Sequence, residues 1–262
     1  MRILITNDDG IHAPGLKTLT KIAETLAGPD GEVWTVAPAF EQSGVGHCIS
    51  FTHPFMVAKH GERSFAAEGS PADCVLTALH DIMPERPDLV LSGVNRGNNA
   101  GENTLYSGTI GAAMEAALQG IPAIAMSQYF GEDNRDLGDP FECAATHGVA
   151  VIKQIMAAPQ NNEAADYRLF WNVNFPPVAA RENKGVRLSA QGFRRDVDFS
   201  VEPHISPSGR RFLWIKGGPQ QTPTLPGTDV ADNLAGYTSV TPMRADLTDH
   251  ATLTALKESF EA

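Results

Sequence analysis

The first half of the chain alternates short apolar runs with stretches of helical period, and that alternation leaves only a few topologies open to it. Runs at 2–6, 32–37 (EVWTVA), 88–92 (DLVLS) and 123–127 (AIAMS) read as strands. Between them, 15–27 carries Leu16, Leu19, Ile22, Ala23 and Leu26 at helical spacing, and 108–119 carries Ile110, Met114, Ala117 and Leu118. Strands that alternate with covering helices build right-handed βαβ units, so an α/β fold with a mostly parallel sheet is predicted. Segment 169–175 (LFWNVNF) adds a strand, with Leu169, Trp171, Val173 and Phe175 on one face and Phe170, Asn172 and Asn174 on the other.

From 186 to 218 the texture changes to alternating segments punctuated by Gly and Pro. RRFLWIK follows the turn-like SPSG at 206–209 and reads as a β-hairpin arm. Phe212 and Trp214 on that arm either meet another subunit or pack inward on their own domain. The tail, 248–260, fits a short helix with Thr248 as N-cap and Leu253, Leu256 and Phe260 on one side. The chain is therefore divided into an α/β core over 1–185 and an arm with a returning strand and helix over 186–262, the two forming one structural unit.

Composition removes several classes of function. A chain of 262 residues buries roughly 70–75% of its extended surface on folding and needs no covalent staples. Cys48, Cys74 and Cys143 are odd in number and widely spaced, which fits reduced thiols rather than a disulfide framework or a zinc site. Hydrophobic residues make up 42% of the chain, yet no stretch approaches the ~18 consecutive apolar residues of a membrane span. The first apolar run ends in acids by position 8, so no secretory signal is expected and the cytoplasm is the expected compartment. Net charge is −11, and the 20 Lys and Arg residues are scattered. That pattern argues against polymeric nucleic acid as a stable partner.

The most informative polar feature is Asp8-Asp9, at the point where the first strand stops. Neighbouring side chains of a strand point to opposite faces, so two adjacent acids converge on one small ligand only if the backbone turns there. Gly10 permits that turn. Two ionised carboxylates held close repel each other unless a cation sits between them, which makes a divalent metal one reading. The other is a polar loop in which Asp9 caps the next helix.

Open parallel sheets bind ligands beyond the carboxyl ends of their strands. There, Asp8 and Asp9 follow the first strand, Ser43 lies in the loop after EVWTVA, and Asn95 and Asn99 lie in the loop after DLVLS. This all-oxygen set suits Mg²⁺, Mn²⁺ or Ca²⁺ and lacks the His and Cys donors that zinc prefers. The last of these loops ends in Ser107-Gly108-Thr109, directly before a helix. A helix N-terminus presents unpaired N–H groups, so these residues form either a phosphate seat or a plain N-cap.

NDDGIHAPGL at 7–16, VAP and QSG within 36–44, GSPADCV at 69–75, LSGVNRGNNAGENTLYSGTIGAA at 91–113 and TDVADNLAGYTSVTP at 228–242 together resemble the SurE (survival protein E) family. The resemblance runs over essentially the whole chain. It implies a Rossmann-like three-layer α/β/α core, a catalytic unit over 1–185, and a C-terminal β-hairpin arm that makes a homodimer or homotetramer. The activity implied is hydrolysis of nucleoside 5′- and 3′-monophosphates, with short polyphosphate as a further substrate. One divalent cation per subunit, Mg²⁺ or Mn²⁺ with Ca²⁺ as a substitute, would be held by Asp8, Asp9, Ser43 and Asn95. Asp8 or Asp9 would orient or deprotonate the attacking water, and Asn99 with Ser107, Gly108 and Thr109 would clamp the phosphoryl oxygens. Ser70 stands where the family pattern has Thr, and Asn103 stands where a second acid is common, removing one negative charge from that loop.

Other classes fit less well. Haloacid-dehalogenase-type phosphatases need acids two apart, and Asp8 and Asp9 are adjacent; a dinucleotide-binding turn needs GxGxxG, and Gly10 and Gly15 have the wrong spacing. A metal-stabilised oligomeric interaction protein without hydrolase activity is the remaining alternative. His12 and His47 read as loop histidines, GSPADC as a helix start with Ser70 as N-cap, and Asn172 and Asn174 either reach the pocket or satisfy a sheet edge.

Overall fold

The computed structural model describes residues 1–158, 167–197 and 199–261. Its strands are β1 (Arg2–Thr6), β2 (Glu32–Pro38), β3 (Val57–Gly61), β4 (Ser64–Ala67), β5 (Leu89–Arg96), β6 (Ala123–Gln128), β7 (Phe170–Phe175), β8 (Val186–Leu188), β9 (Ser200–Ile205), β10 (Arg211–Lys216) and β11 (Thr238–Met243). The helices of α type are α1 (Pro14–Ala27), α2 (Pro71–Thr77), α3 (Gly108–Leu118), α4 (Glu142–Ala157), α5 (Asp229–Leu234) and α6 (His250–Phe260).

A nine-stranded sheet in the order β3-β4-β2-β1-β5-β6-β7-β11-β8 forms the middle layer. From β4 to β7 its neighbours are parallel, while β3 and β11 join antiparallel. The expected α/β fold and mostly parallel sheet are therefore present. Because β1 lies between β2 and β5, the chain leaves it in both directions, and the crevice at β1 and β5 is where such sheets bind ligands.

Alternation along β1 builds the two faces. Ile3 and Ile5 enter one core with Leu16, Leu19 and Ile22 of α1 and Val151, Ile152 and Ile155 of α4. Leu4 enters the other with Cys74 and Val75 of α2 and Ile110, Ala113 and Ala116 of α3. Each of these fully buried Ile and Leu side chains contributes about 1.5–3 kcal/mol. The apolar stripe at 15–27 is the helix face that covers the sheet, as its period predicts; at 108–119 Ile110 and Ala117 face the sheet with Ala112, Ala113 and Ala116, while Met114 is only partly buried and Leu118 is exposed.

Two elements depart from the sequence reading. The last helix starts at His250, and its cap is Asp249, whose carboxylate accepts the Thr252 N–H at 2.9 Å; Thr248 instead donates its own N–H to Asp246. A carboxylate is the stronger acceptor at that position. The β3–β4 pair is not evident in the sequence because it is short and lies at the sheet edge, and β3 is largely exposed. The hairpin β9–β10 pairs only with itself, Ser200 to Lys216, and every residue of both strands is exposed. Phe212 and Trp214 therefore do not pack inward. Among the described residues no helix is long and apolar enough to cross a membrane.

Candidate active site

Asp8 and Asp9 lie in a turn that the sequence NDDG builds for itself. The Asn7 carboxamide donates to the Gly10 carbonyl at 2.9 Å and accepts the Gly10 N–H at 3.2 Å, and Gly10 takes φ +98°. That bracket breaks the strand alternation, so both acids can line one cleft of about 210 Å³ together with Ser43, Asn95, Asn99 and Ser107. The loop after β2 is fastened to this turn by Gln42 N–H to the Asp8 carbonyl at 2.7 Å and Ile11 N–H to the Pro38 carbonyl at 2.8 Å. Gly46 N–H to the Tyr106 carbonyl, 3.0 Å, fastens it to the third loop. Three segments at the strand ends thus meet, with one correction to the sequence reading: β5 runs on to Arg96, so Asn95 is a strand residue paired with Ser127 of β6 and not part of the following loop.

Each acid is held differently. Asp8 is buried; its Oδ1 accepts the Thr109 hydroxyl at 2.6 Å and its Oδ2 the Thr109 N–H at 3.0 Å. Burial pushes its carboxyl up to about 6; the Thr109 hydroxyl opposes this, and the charge of Asp9 adds to it. Asp9 is half-buried, and its Oδ2 accepts the Arg96 N–H at 3.0 Å. Burial raises its pKa as well, against the Arg96 backbone bond and charge, with Glu41 adding repulsion.

The neutral donors are also oriented. Asn95 donates from Nδ2 to the Gly97 carbonyl at 2.9 Å, which leaves Oδ1 as its uncommitted acceptor. Its aim depends on an irregularity in β5, where pairing with β6 shifts register between Ser92 and Asn95. Ser43 donates to Glu41 at 2.7 Å, leaving its oxygen lone pairs open. Two carboxylates, a carboxamide oxygen and a hydroxyl oxygen fit a hard divalent cation, and a cation there would offset the burial that raises both acids. Among the described residues no group of three or more His, Cys, Asp and Glu side chains that could hold a metal ion comes together, so the donor set here rests on two carboxylates and two neutral oxygens.

At the helix N-terminus the N-cap reading holds for Ser107, whereas Thr109, expected to clamp phosphoryl oxygens, is committed to Asp8. Ser107 caps α3 by accepting the Ile110 N–H at 3.1 Å, and both donors of Thr109 go to Asp8. A Cβ on Gly108 would lie 2.9 Å from Asp8 Cβ, so only glycine lets the helix come this close to the acid. Asn99 lines the cleft but is buried and already engaged: its N–H donates to Asn174 at 2.7 Å, its carbonyl accepts Asn172 Nδ2 at 2.8 Å, and its own Nδ2 donates to Ser127 at 2.9 Å. Asn172 and Asn174 therefore neither enter the cleft nor satisfy a sheet edge; they fix the third loop.

Other contributors lie far away in sequence. Arg194 is fully buried and donates to Glu102 at 2.8 Å, Asn98 at 3.0 Å and the Ala100 carbonyl at 3.1 Å, clamping the loop that carries Asn98 and Asn99. Tyr106, Arg96 and Phe199 also border the cleft. In the sequence Arg194 is one of a pair of arginines and Phe199 one of many scattered aromatics, so only tertiary structure shows their place. His12 faces His60 across 5.5 Å and His47 pairs with Glu115 at 2.7 Å, and neither lines the cleft. Ser70 forms a reciprocal capping box with Asp73, which also holds Ser50.

The family described as Survival protein SurE matches residues 3–198. The chain belongs to the SurE family. Relatives carrying the name 5′-nucleotidase SurE include that of Ruegeria pomeroyi, 69% identical over 262 residues and covering 99% of this chain and 100% of the relative. That of Cereibacter sphaeroides is 67% identical over 258 residues, 98% of each chain. The crystal structure of the SurE protein from Aquifex aeolicus superposes with a TM-score of 0.79 at 36% identity, covering 99% of this chain and 100% of the other.

Proposed function

We propose that this SurE chain is a metal-dependent phosphomonoesterase that hydrolyses nucleoside 5′- and 3′-monophosphates, with short polyphosphate as a further substrate. The observation that carries the reading is the convergence of Asp8, Asp9, Ser43 and Asn95 in one cleft at the β1–β5 crevice. The names of its close full-length relatives support the nucleotidase part. One Mg²⁺ or Mn²⁺ per subunit would be held by those four residues. When bound, it would supply positive charge to the phosphoryl oxygens and polarise a water.

The remaining work falls to the chain itself. Asp9 Oδ1, free of the Arg96 N–H that occupies Oδ2, orients the attacking water or takes its proton. Asp8 is kept in place by Thr109, which acts one layer behind the reacting atoms. Ser107 and Gly108 bring backbone N–H groups of the α3 terminus toward the phosphoryl oxygens, and Asn99 keeps their loop in register. Water attack releases the nucleoside hydroxyl and inorganic phosphate. A carboxylate nucleophile is less favoured, because an oxygen that binds metal attacks poorly.

The same reading extends to assembly and compartment. The exposed apolar side chains on the two faces of β9–β10, Phe212 and Trp214 on one and Val201 and Ile215 on the other, support a homodimer or homotetramer formed through the arm. A cytoplasmic location fits the charge and the reduced cysteines.

The test is phosphate release from a panel of 5′- and 3′-monophosphates, ATP and short polyphosphate in Mn²⁺, Mg²⁺ or EDTA. Release from monophosphates that requires metal is the expected result. No release with any metal, together with a melting temperature that drops on chelation, would make the site structural and overturn the proposal.

A further inference from the structure

The floor of the cleft is polar, but part of its rim is not. Tyr106 and Phe199 border the same cleft as Asp8, Asp9 and Ser107, and their ring centroids lie 5.0 Å apart at an interplanar angle of 72°. The two rings come from unrelated segments: Tyr106 ends the third strand-end loop, next to the cap of α3, and Phe199 leads into β9 of the arm. Both are roughly half exposed, at 47% and 51%. Edge-to-face contact orders each ring through the other while leaving π surface open to a third flat group.

Such a cleft suits a molecule that is anionic at one end and flat and aromatic at the other. We propose that Tyr106 and Phe199 are the specificity-determining wall that stacks the base of a nucleotide whose phosphate sits over Asp8 and Asp9. The proposal rests on the phosphomonoesterase reading and adds to it a source of preference for nucleotides over phosphate esters that lack a base. Stacking on aromatic side chains tolerates any base, since every base has a π face. The wall therefore selects for the presence of a base and discriminates weakly among bases. It also makes the arm part of substrate recognition, because Phe199 belongs to the segment that leads into the exposed hairpin.

The experiment compares adenosine 5′-monophosphate with ribose 5-phosphate, which shares the phosphate and sugar but has no base, for the wild-type chain, Phe199→Ala, Phe199→Trp and Tyr106→Leu. The readouts are KM and kcat in saturating Mn²⁺. The ratio of KM for ribose 5-phosphate to KM for the nucleotide should exceed about fivefold in the wild type. It should collapse toward one in Phe199→Ala and Tyr106→Leu, and be retained in Phe199→Trp. Phe199 is half exposed, so its replacement by Ala is expected to leave the fold intact, and circular dichroism checks this. Equal KM values for the two substrates in the wild type would overturn the wall while leaving the phosphomonoesterase reading intact. So would an equal change for both substrates in the variants, which would assign the rings to packing. Hydrolysis of neither substrate by the wild type would overturn both readings together.

Discussion

Thr109→Val isolates the interaction on which the geometry of Asp8 depends. The substitution keeps shape and volume and removes one hydroxyl, which donates to Asp8 Oδ1 at 2.6 Å between two buried side chains. The backbone N–H of residue 109 still reaches Oδ2, so one of the two bonds to the acid survives. A buried hydrogen bond to a charged acceptor contributes about 1.5–3 kcal/mol. No water-filled opening is created to replace it, so most of that is expected as lost stability, roughly a 10- to 150-fold shift in the unfolding constant. In a chain of this size it corresponds to a melting temperature lower by roughly 3–10 °C. Because the Thr109 hydroxyl opposes the rise in the Asp8 pKa, its loss also favours the protonated acid, and Mn²⁺ should bind more weakly. The assay is urea unfolding of the wild type, Thr109→Val and Thr109→Ser in EDTA, followed by circular dichroism. Thr109→Ser should recover most of the difference. Stability of Thr109→Val within about 0.5 kcal/mol of wild type, or equal losses in the Val and Ser variants, would refute the reasoning.

Gly93→Ala should destabilise strongly and reduce expression of soluble protein, since its Cβ would meet the Met126 carbonyl oxygen at 2.1 Å and φ is +133°; thermal melting checks it. Glu102→Gln removes the charge paired with buried Arg194 while leaving an acceptor there and the bonds to Asn98 and the Ala100 carbonyl, and should cost about 1.5–3 kcal/mol near neutral pH. Burial pushes the Glu102 carboxyl up, but its bonds to Arg194 and the Arg194 charge outweigh this and hold it below 4.5. The stability it confers is therefore present above pH 4.5 and lost as pH falls through the lowered folded value. The gap between wild type and Glu102→Gln, followed by unfolding from pH 7 downward, should narrow in that window. Replacing Phe212 and Trp214 together with Glu should reduce the assembly mass in light scattering while leaving the circular dichroism spectrum unchanged, since both rings are exposed on a hairpin that pairs only with itself.

What the sequence reveals and what it conceals divides along local and non-local physics. β1, β5 and β6 are continuous apolar runs and α1 is a stripe of period 3.6, so their signals lie within a few residues of one another. The strand-end rule then places Asp8, Ser43 and Asn95 on one edge with no knowledge of packing. The assignment of Thr109 cannot be read this way, because its partner lies 101 residues away and an N-terminal Thr has the same local appearance whether it faces a ligand or a carboxylate. Asn172 and Asn174 are similar: alternation along β7 shows their shared face, but their partner is the Asn99 backbone. Arg194 is the clearest case. An arginine next to another arginine looks like solvated surface, and only the fold shows its guanidinium enclosed by the loop it clamps.

The central claim is that Asp8, Asp9, Ser43 and Asn95 form a catalytic divalent-cation site, and its most direct test is phosphate release from adenosine 5′-monophosphate by wild type and Asp9→Asn across a Mn²⁺ titration. Asp9→Asn keeps the acceptor for the Arg96 N–H and removes the charge. The account predicts a folded variant whose rate at any Mn²⁺ concentration is at least about 100-fold below wild type, with a weaker Mn²⁺ dependence. A wild-type rate unaffected by EDTA, or an Asp9→Asn variant that hydrolyses the nucleotide at the wild-type rate, would contradict it.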